Sequence, residues 1–256
     1  MNLEFVGDGP ALLVINSQRV LAVADLHMGI ESDLAQHGLH FPSRSKERLE
    51  RLERCVDDTE PDLLLILGDI KHTIPFTSRQ EYQEIPDIIR KLRALVPLQV
   101  VPGNHDAGIE RFFLPDEILP RKGVVIDGTG YVHGHMYPDN SLAGRLIVAG
   151  HHHPLVSLRD EVGCALRSPA YVFAPLDEGC LGFAGKGTLQ RGGTTRILFI
   201  PAFNELSGYD VLRTVREPFS PLSRCMRTEL AEIFLPDGTF IGPLSALEEY
   251  GADREP

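Results

Sequence analysis

Leu63-Leu64-Leu65-Ile66-Leu67-Gly68-Asp69 is the stretch on which the reading of this chain turns. Five consecutive apolar residues without polar alternation fit a strand buried on both faces. The run stops at a glycine and a carboxylate. An ionised Asp at the mouth of a buried strand is costly without compensation. Asp69 is therefore either a metal ligand, whose two oxygens can bridge two ions, or a cap on a following helix.

The same grammar extends in both directions. Leu3–Val6, Leu12–Ile15 and Val20–Ala24 are short apolar runs separated by turn residues, and the third ends at Asp25-Leu26-His27. Ser43 to Asp58 predicts a helix with Leu49, Leu52 and Val56 on its apolar face. A second helix is expected from Pro86 to Leu95, with proline in its first turn and Ile88, Ile89, Leu92 and Leu95 facing the core. Leu98–Val101 reads as a strand leading to Gly103-Asn104-His105-Asp106. Gly130–His133 and Leu146–Ala149 are again strands, followed by His133-Gly134-His135 and Gly150-His151-His152-His153.

Strands alternating with helices predict an α/β fold, whose functional groups gather at the ends of buried strands. Beyond Pro154 the pattern is strand-rich, at Tyr171–Phe173, Arg196–Ile200, Glu229–Leu235 and Thr239–Ile241. Asn204 to Arg224 reads as a long surface loop. One domain over residues 1–245 and an acidic tail over 246–256 are expected.

Composition narrows the function. The chain has 256 residues, 43% of them hydrophobic, enough for one substantial core. No apolar run is long enough to span a membrane, and the N-terminus has no signal-peptide pattern. The four cysteines form no CxxC pair, so structural zinc and disulfides are not expected, and reduced thiols in the cytoplasm are the plain reading. A net charge of -11 gives no general attraction for nucleic acid. Two divalent cations would reverse the local sign and attract phosphate.

Of the ten histidines, only His37 and His40 lie outside the clusters at the strand ends. Asp25 and His27, two apart, can lean toward one ion. Asn104 offers a neutral amide oxygen that binds a cation without cancelling its charge. His105 beside it can donate a proton to a leaving oxygen. In an extended segment His151 and His153 point one way and His152 the other, which makes the first and third the ligand candidates. His133 and His135 share that spacing.

The ordered set Asp-x-His, Gly-Asp, Gly-Asn-His-Asp, His and Gly-His-x-His resembles the calcineurin-like metallophosphoesterase superfamily over Asp25 to His153. The resemblance implies a four-layer α/β/β/α sandwich of two mixed sheets flanked by helices. It implies one metal held by Asp25, His27, Asp69 and His153, and a second by Asp69, Asn104, His133 and His151. His133 rather than His135 is chosen by analogy. His105 would be the catalytic histidine, and hydroxide shared by the two ions would attack phosphorus. Mixed nitrogen and oxygen ligands suit Mn, Fe or Zn alike, and the resemblance implies Mn first.

Gly68-Asp69-Ile70-Lys71-His72 resembles the nuclease branches, in which His72 would act on the scissile phosphate; the alternative for His72 is a packed loop histidine. Together with Gly150-His151-His152-His153-Pro154 and Pro201-Ala202-Phe203-Asn204, it resembles an archaeal and bacterial branch of nuclease-like phosphoesterases associated with DNA helicases or ligases. That implies a phosphodiesterase acting on DNA or RNA, in a DNA-repair setting and with such a helicase or ligase as partner. The competing readings are a small-nucleotide phosphodiesterase or phosphatase, and a catalytically silent scaffold.

Overall fold

The computed structural model describes residues 1–7, 9–159, 165–183 and 194–247. In chain order the first half contains β1 (Asn2–Val6), β2 (Ala11–Ile15), β3 (Arg19–Val23), α1 (Ile30–Gln36), α2 (Ser45–Thr59), β4 (Leu63–Ile66), α3 (Arg79–Leu95) and β5 (Leu98–Val100). The second half contains β6 (Val124–Ile126), β7 (Thr129–Val132), β8 (Leu146–Ala149), β9 (Pro154–Arg159), β10 (Ala165–Pro169), β11 (Tyr171–Pro175) and β12 (Arg196–Phe199). It closes with β13 (Tyr209–Asp210), α4 (Val211–Arg216), α5 (Pro221–Arg224), β14 (Glu232–Phe234) and β15 (Phe240–Pro243).

Two sheets carry the fold. The first has the order β1-β2-β3-β4-β5, and the second β15-β14-β11-β12-β8-β7-β6. Strand alternation builds the layers. On β2, β3 and β4, Leu13, Leu21, Val23, Leu64 and Ile66 face α2 and α3. Leu12, Val14, Val20, Ala22 and Leu65 point the other way and meet Tyr131, Val148, Tyr171 and Leu198 of the second sheet. The far face of that sheet, with Ile147, Ile197 and Phe199, is covered by Val211, Leu222 and their neighbours. With both faces buried, these strands read as unbroken apolar runs. The result is the expected four-layer sandwich, its last layer made of the short helices α4 and α5 beside a small sheet of order β10-β9-β13.

Topology positions the site. β3, β4 and β5 run parallel, as do β7, β8 and β12. Their C-terminal ends therefore open on the same edge, where Asp25, Asp69, Asn104, His133 and His151 follow directly.

Three expectations are corrected. The second helix begins at Arg79, not Pro86, because Ser78 and Glu81 form a capping box; Pro86 lies inside the helix. Its buried face is Ile85, Ile88, Ile89 and Leu92, whereas Leu95 is 49% exposed. The supposed surface loop from Asn204 to Arg224 contains β13, α4 and α5, with Asn204, Val211 and Leu222 buried. Cys180 and Cys225 form a disulfide, 45 residues apart in sequence but with Cα atoms 5.5 Å apart. Of the acidic tail expected over 246–256, residues 248–256 lie outside the described residues. Among the described residues no helix is long and apolar enough to cross a membrane.

Candidate metal centre

Two loops lie side by side at the floor of the site. Beyond β3 and β4 the backbones stay paired: Asp25 N donates to Gly68 O, His27 N to Asp69 O and Met28 N to Ile70 O. Gly68 has φ 75°, and a Cβ there would run into the His133 ring; a Cβ on Gly103 would run into the Asp69 carboxylate. Glycine at both positions lets the backbones approach closely enough to bring the side chains together.

Asp25, His27, Asp69, His151 and His153 take positive φ of 58°, 42°, 50°, 70° and 43°. Among the described residues, only Glu60 and Asp127 share that conformation without being glycine. Strained backbone is thus concentrated where polar side chains converge.

The converging atoms form overlapping groups. Asp25, His27, Asp69 and His153 are all buried, and their potential ligand atoms lie within 4.8 Å of one another. Asp69, His133 and His151 form a second such group. Asn104 joins it, its Oδ1 lying 3.1 Å from His133 Nε2. Asp69 belongs to both: its Oδ2 is 3.8 Å from His27 Nε2 and 3.4 Å from His133 Nε2. A third group contains His27, His72 and His105.

Several features of the donor set fit cations. Asp25 Oδ1 is buried without a hydrogen-bond partner, with His153 Nε2 3.2 Å away. His27 Nε2 and His153 Nε2 face each other at 3.4 Å. Burial, together with His153, holds His27 well below the usual histidine pKa. Burial and the charge on His133 likewise lower His151. Neutral imidazoles have lone pairs available for a metal. Burial would raise the Asp69 carboxyl, but the charge of His133 and its hydrogen bond hold it well below the usual carboxylate range. Burial opposes charge on His133 as well, yet Asp69 raises it to about 9.

His133 Nδ1 lies 2.8 Å from Leu67 O, which turns Nε2 toward Asp69 and Asn104. His135 belongs to none of the three groups, and burial lowers its pKa to about 4. Of the two imidazoles at this loop, the structure brings His133 to the carboxylates. His151 and His153 face the site as expected, but through left-handed backbone rather than an extended segment. His152 turns into the second sheet, where its Nε2 meets Ser220 Oγ at 2.8 Å and its ring lies 4.0 Å from Phe199.

His105 Nδ1 bonds the carbonyl of His72, while its backbone N–H donates to Asp69 Oδ1 at 2.8 Å. The His72 ring lies 5.6 Å from that of His105. His72 Nδ1 is 3.3 Å from His27 Nδ1, and its Nε2 is 3.6 Å from Asp33. Burial and the charge on His105 lower the His72 pKa.

Several supports escaped sequence reasoning. Asp106 accepts from Gly103 N at 2.8 Å and Ile70 N at 2.9 Å, stitching the two ligand loops together. Burial raises its pKa. Buried Glu81 accepts from His72 N and Thr73 N, and buried Lys71 donates to the carbonyls of Thr73 and Phe76. The capping-box spacing Ser78-x-x-Glu81 was the available signal for Glu81. Asn204 Nδ2 donates to Leu26 O at 2.9 Å and so fixes the loop that carries Asp25 and His27.

The calcineurin-like phosphoesterase family model matches residues 18–173, more than half of the chain. The chain belongs to this family. As a calcineurin-like phosphoesterase it is a metal-dependent hydrolase, and its histidine and aspartate groups could hold divalent cations. Its fold is similar to that of the nuclease MPE of Pseudomonas putida, with 21% identity, coverage of 92% of both chains and a TM-score of 0.57. The E. coli phosphoesterase Yfce matches at 18% identity over 55% of this phosphoesterase and 73% of its own length, with a TM-score of 0.34.

Proposed function

We propose that this phosphoesterase is a two-metal phosphodiesterase that cuts single-stranded or structured DNA or RNA. The observation that carries the two-metal reading is Asp69, whose carboxylate belongs to both ligand groups. In this reading Asp25, His27, Asp69 and His153 hold one cation, and Asp69, Asn104, His133 and His151 hold the other. Oxygen and nitrogen donors without thiolate suit Mn, Fe or Zn alike, and the family resemblance makes Mn the first choice. Bound divalent cations supply Lewis acidity and activate water.

The chain's own residues do the rest. The short bond from His105 Nδ1 to the His72 carbonyl fixes the ring, so its Nε2 is the atom left to hold a proton for the departing alcohol. His72, beside both His27 and His105, sits where it can contact the scissile phosphate. The nuclease reading draws on that position and on the activity named for the Pseudomonas putida neighbour. A basic helicase or ligase partner would supply nucleic-acid affinity that a chain of charge -11 lacks. The same acidity favours the second reading, a small-nucleotide phosphodiesterase.

The test is direct. With Mn present, cleavage of labelled oligonucleotides, hydrolysis of cyclic nucleotides and hydrolysis of bis(p-nitrophenyl) phosphate are compared. Oligonucleotide cleavage is expected. Activity confined to the small esters would replace the nuclease reading with the second one.

A further inference from the structure

The two segments that carry His72 and His105 continue into the walls of a half-open cavity of about 450 Å³. Pro75, Phe76 and Thr77 form one wall, Ala107 and Gly108 another, and Tyr82 and Arg111 complete it. Phe76 is 78% exposed, the most exposed large apolar side chain among the described residues, and Tyr82 is 47% exposed. The Arg111 guanidinium lies 5.3 Å from the centre of the Tyr82 ring.

The wall is built rather than loose. Lys71, wholly buried, donates to the carbonyls of Thr73 and Phe76, and Glu81, also buried, accepts from the backbone N–H groups of His72, Thr73 and Ser78. Two buried charged groups thus hold the loop that presents an apolar ring to solvent. Holding the ring in place lowers the entropy cost of stacking something against it.

A second pair of rings near the centre is engaged differently. Tyr209 stacks on His153 at 5.7 Å, and Phe219 lies 5.0 Å from His152 and 5.4 Å from His151. Those rings pack on the proposed ligand loop, whereas the Phe76 face looks into the cavity. Arg111 lies over the Tyr82 ring and Phe112 meets that ring edge-on at 6.0 Å, so the exposed Phe76 face is the platform for a nucleobase, with the guanidinium beside it available to a neighbouring phosphate.

We propose that the cavity between Phe76, Tyr82 and Arg111 seats the unpaired base of a nucleotide adjoining the scissile phosphate. This rests on the nuclease reading above and adds a base subsite to it. The subsite takes any base, because stacking uses the π-face and not the hydrogen-bonding edge. It also requires that base to be unstacked from its neighbours, so paired duplex would be disfavoured there.

The test varies the substrate first. Single-stranded DNA and RNA oligonucleotides are supplied to the Mn-loaded protein, and the better substrate is remade with one abasic residue walked across the cleaved bond. At one position beside that bond, kcat/KM should fall about 10- to 100-fold. Fluorescence anisotropy of the same strands in EDTA, where no cleavage occurs, should show weaker binding of that abasic strand. Phe76→Ala and Tyr82→Ala, both at exposed positions, should weaken the intact strand and abolish the distinction between intact and abasic strands. If wild-type protein cleaves and binds every abasic strand as well as the intact one, the base subsite is wrong while the nuclease reading stands. If bis(p-nitrophenyl) phosphate is hydrolysed and no oligonucleotide is cut, both are wrong.

Discussion

Two charge networks, one built on buried Arg48 and Glu31 and the other on buried Asp25 and Asp69, are balanced in opposite ways. Around α2, Arg48 is 1% exposed and donates to Glu31 at 2.7 Å and to Glu205 at 3.0 Å, with Arg44 and Arg51 also on Glu205. There, guanidinium groups meet the carboxylates directly. At the metal centre, Asp25 and Asp69 are equally buried but meet imidazoles and the backbone N–H groups of His151 and His105 in place of guanidinium, and Asp25 Oδ1 has no hydrogen-bond partner. No Lys or Arg side chain is paired with either Asp among the described residues. The first network carries its own cations; the second is arranged for cations from outside.

The sharpest way to break that contrast is Asp69→Asn, which removes the carboxylate common to both groups. Turnover should fall by about 10³-fold or more, and metal content by elemental analysis should drop below two per chain. Full activity with two metals bound would show that Asp69 is not shared. Arg48→Met tests the other network. Leaving Glu31 buried without its guanidinium should cost about 3 kcal/mol in urea unfolding, with two metals still bound in the folded protein. A loss of metal without a loss of stability would reverse the assignment of the two networks.

Removing the metal sharpens the comparison further. Cations that bind only the folded chain stabilise it by about 2.7 kcal/mol at a hundredfold excess over Kd. EDTA should therefore lower the stability of the wild type and of Arg48→Met by a similar increment, because the two networks share no side chain. An Arg48→Met protein indifferent to EDTA would mean that the two networks are coupled.

The sequence exposes these networks unequally. Parallel strands buried on both faces leave long apolar runs such as Leu63–Leu67, and their ends are marked by glycine, Asp and His, so the sandwich and its convergent residues were legible. Arg48 and Glu205 were not, because a charged residue on an amphipathic helix has the same spacing whether it faces water or a partner 157 residues away. Pro86 concealed the first two turns of α3, since a proline inside a helix looks like the first turn of one. Cys180 and Cys225 carried no spacing signal, and only the packing of the second sheet brings them together. In the sequence, the choice of His133 over His135 rests on analogy alone; what turns its Nε2 toward Asp69 is the carbonyl of Leu67, a backbone group that no side-chain motif encodes.

His72 lies at the margin of the metal-centre network, and its substitution gives the smallest and most discriminating effect. Its ring touches His27 and Asp33, while its backbone carbonyl, not its side chain, holds His105. His72→Ser keeps that carbonyl and removes the ring. If the ring serves the phosphate, oligonucleotide cleavage should fall about tenfold while two metals remain bound, as is common for groups just outside a ligand set. If the ring instead belongs to the ligand set through the His27-His72-His105 group, one metal should be lost together with activity. Elemental analysis of the variant beside its cleavage rate separates the two, because only the first outcome leaves the buried carboxylates Asp25 and Asp69 fully neutralised by cations.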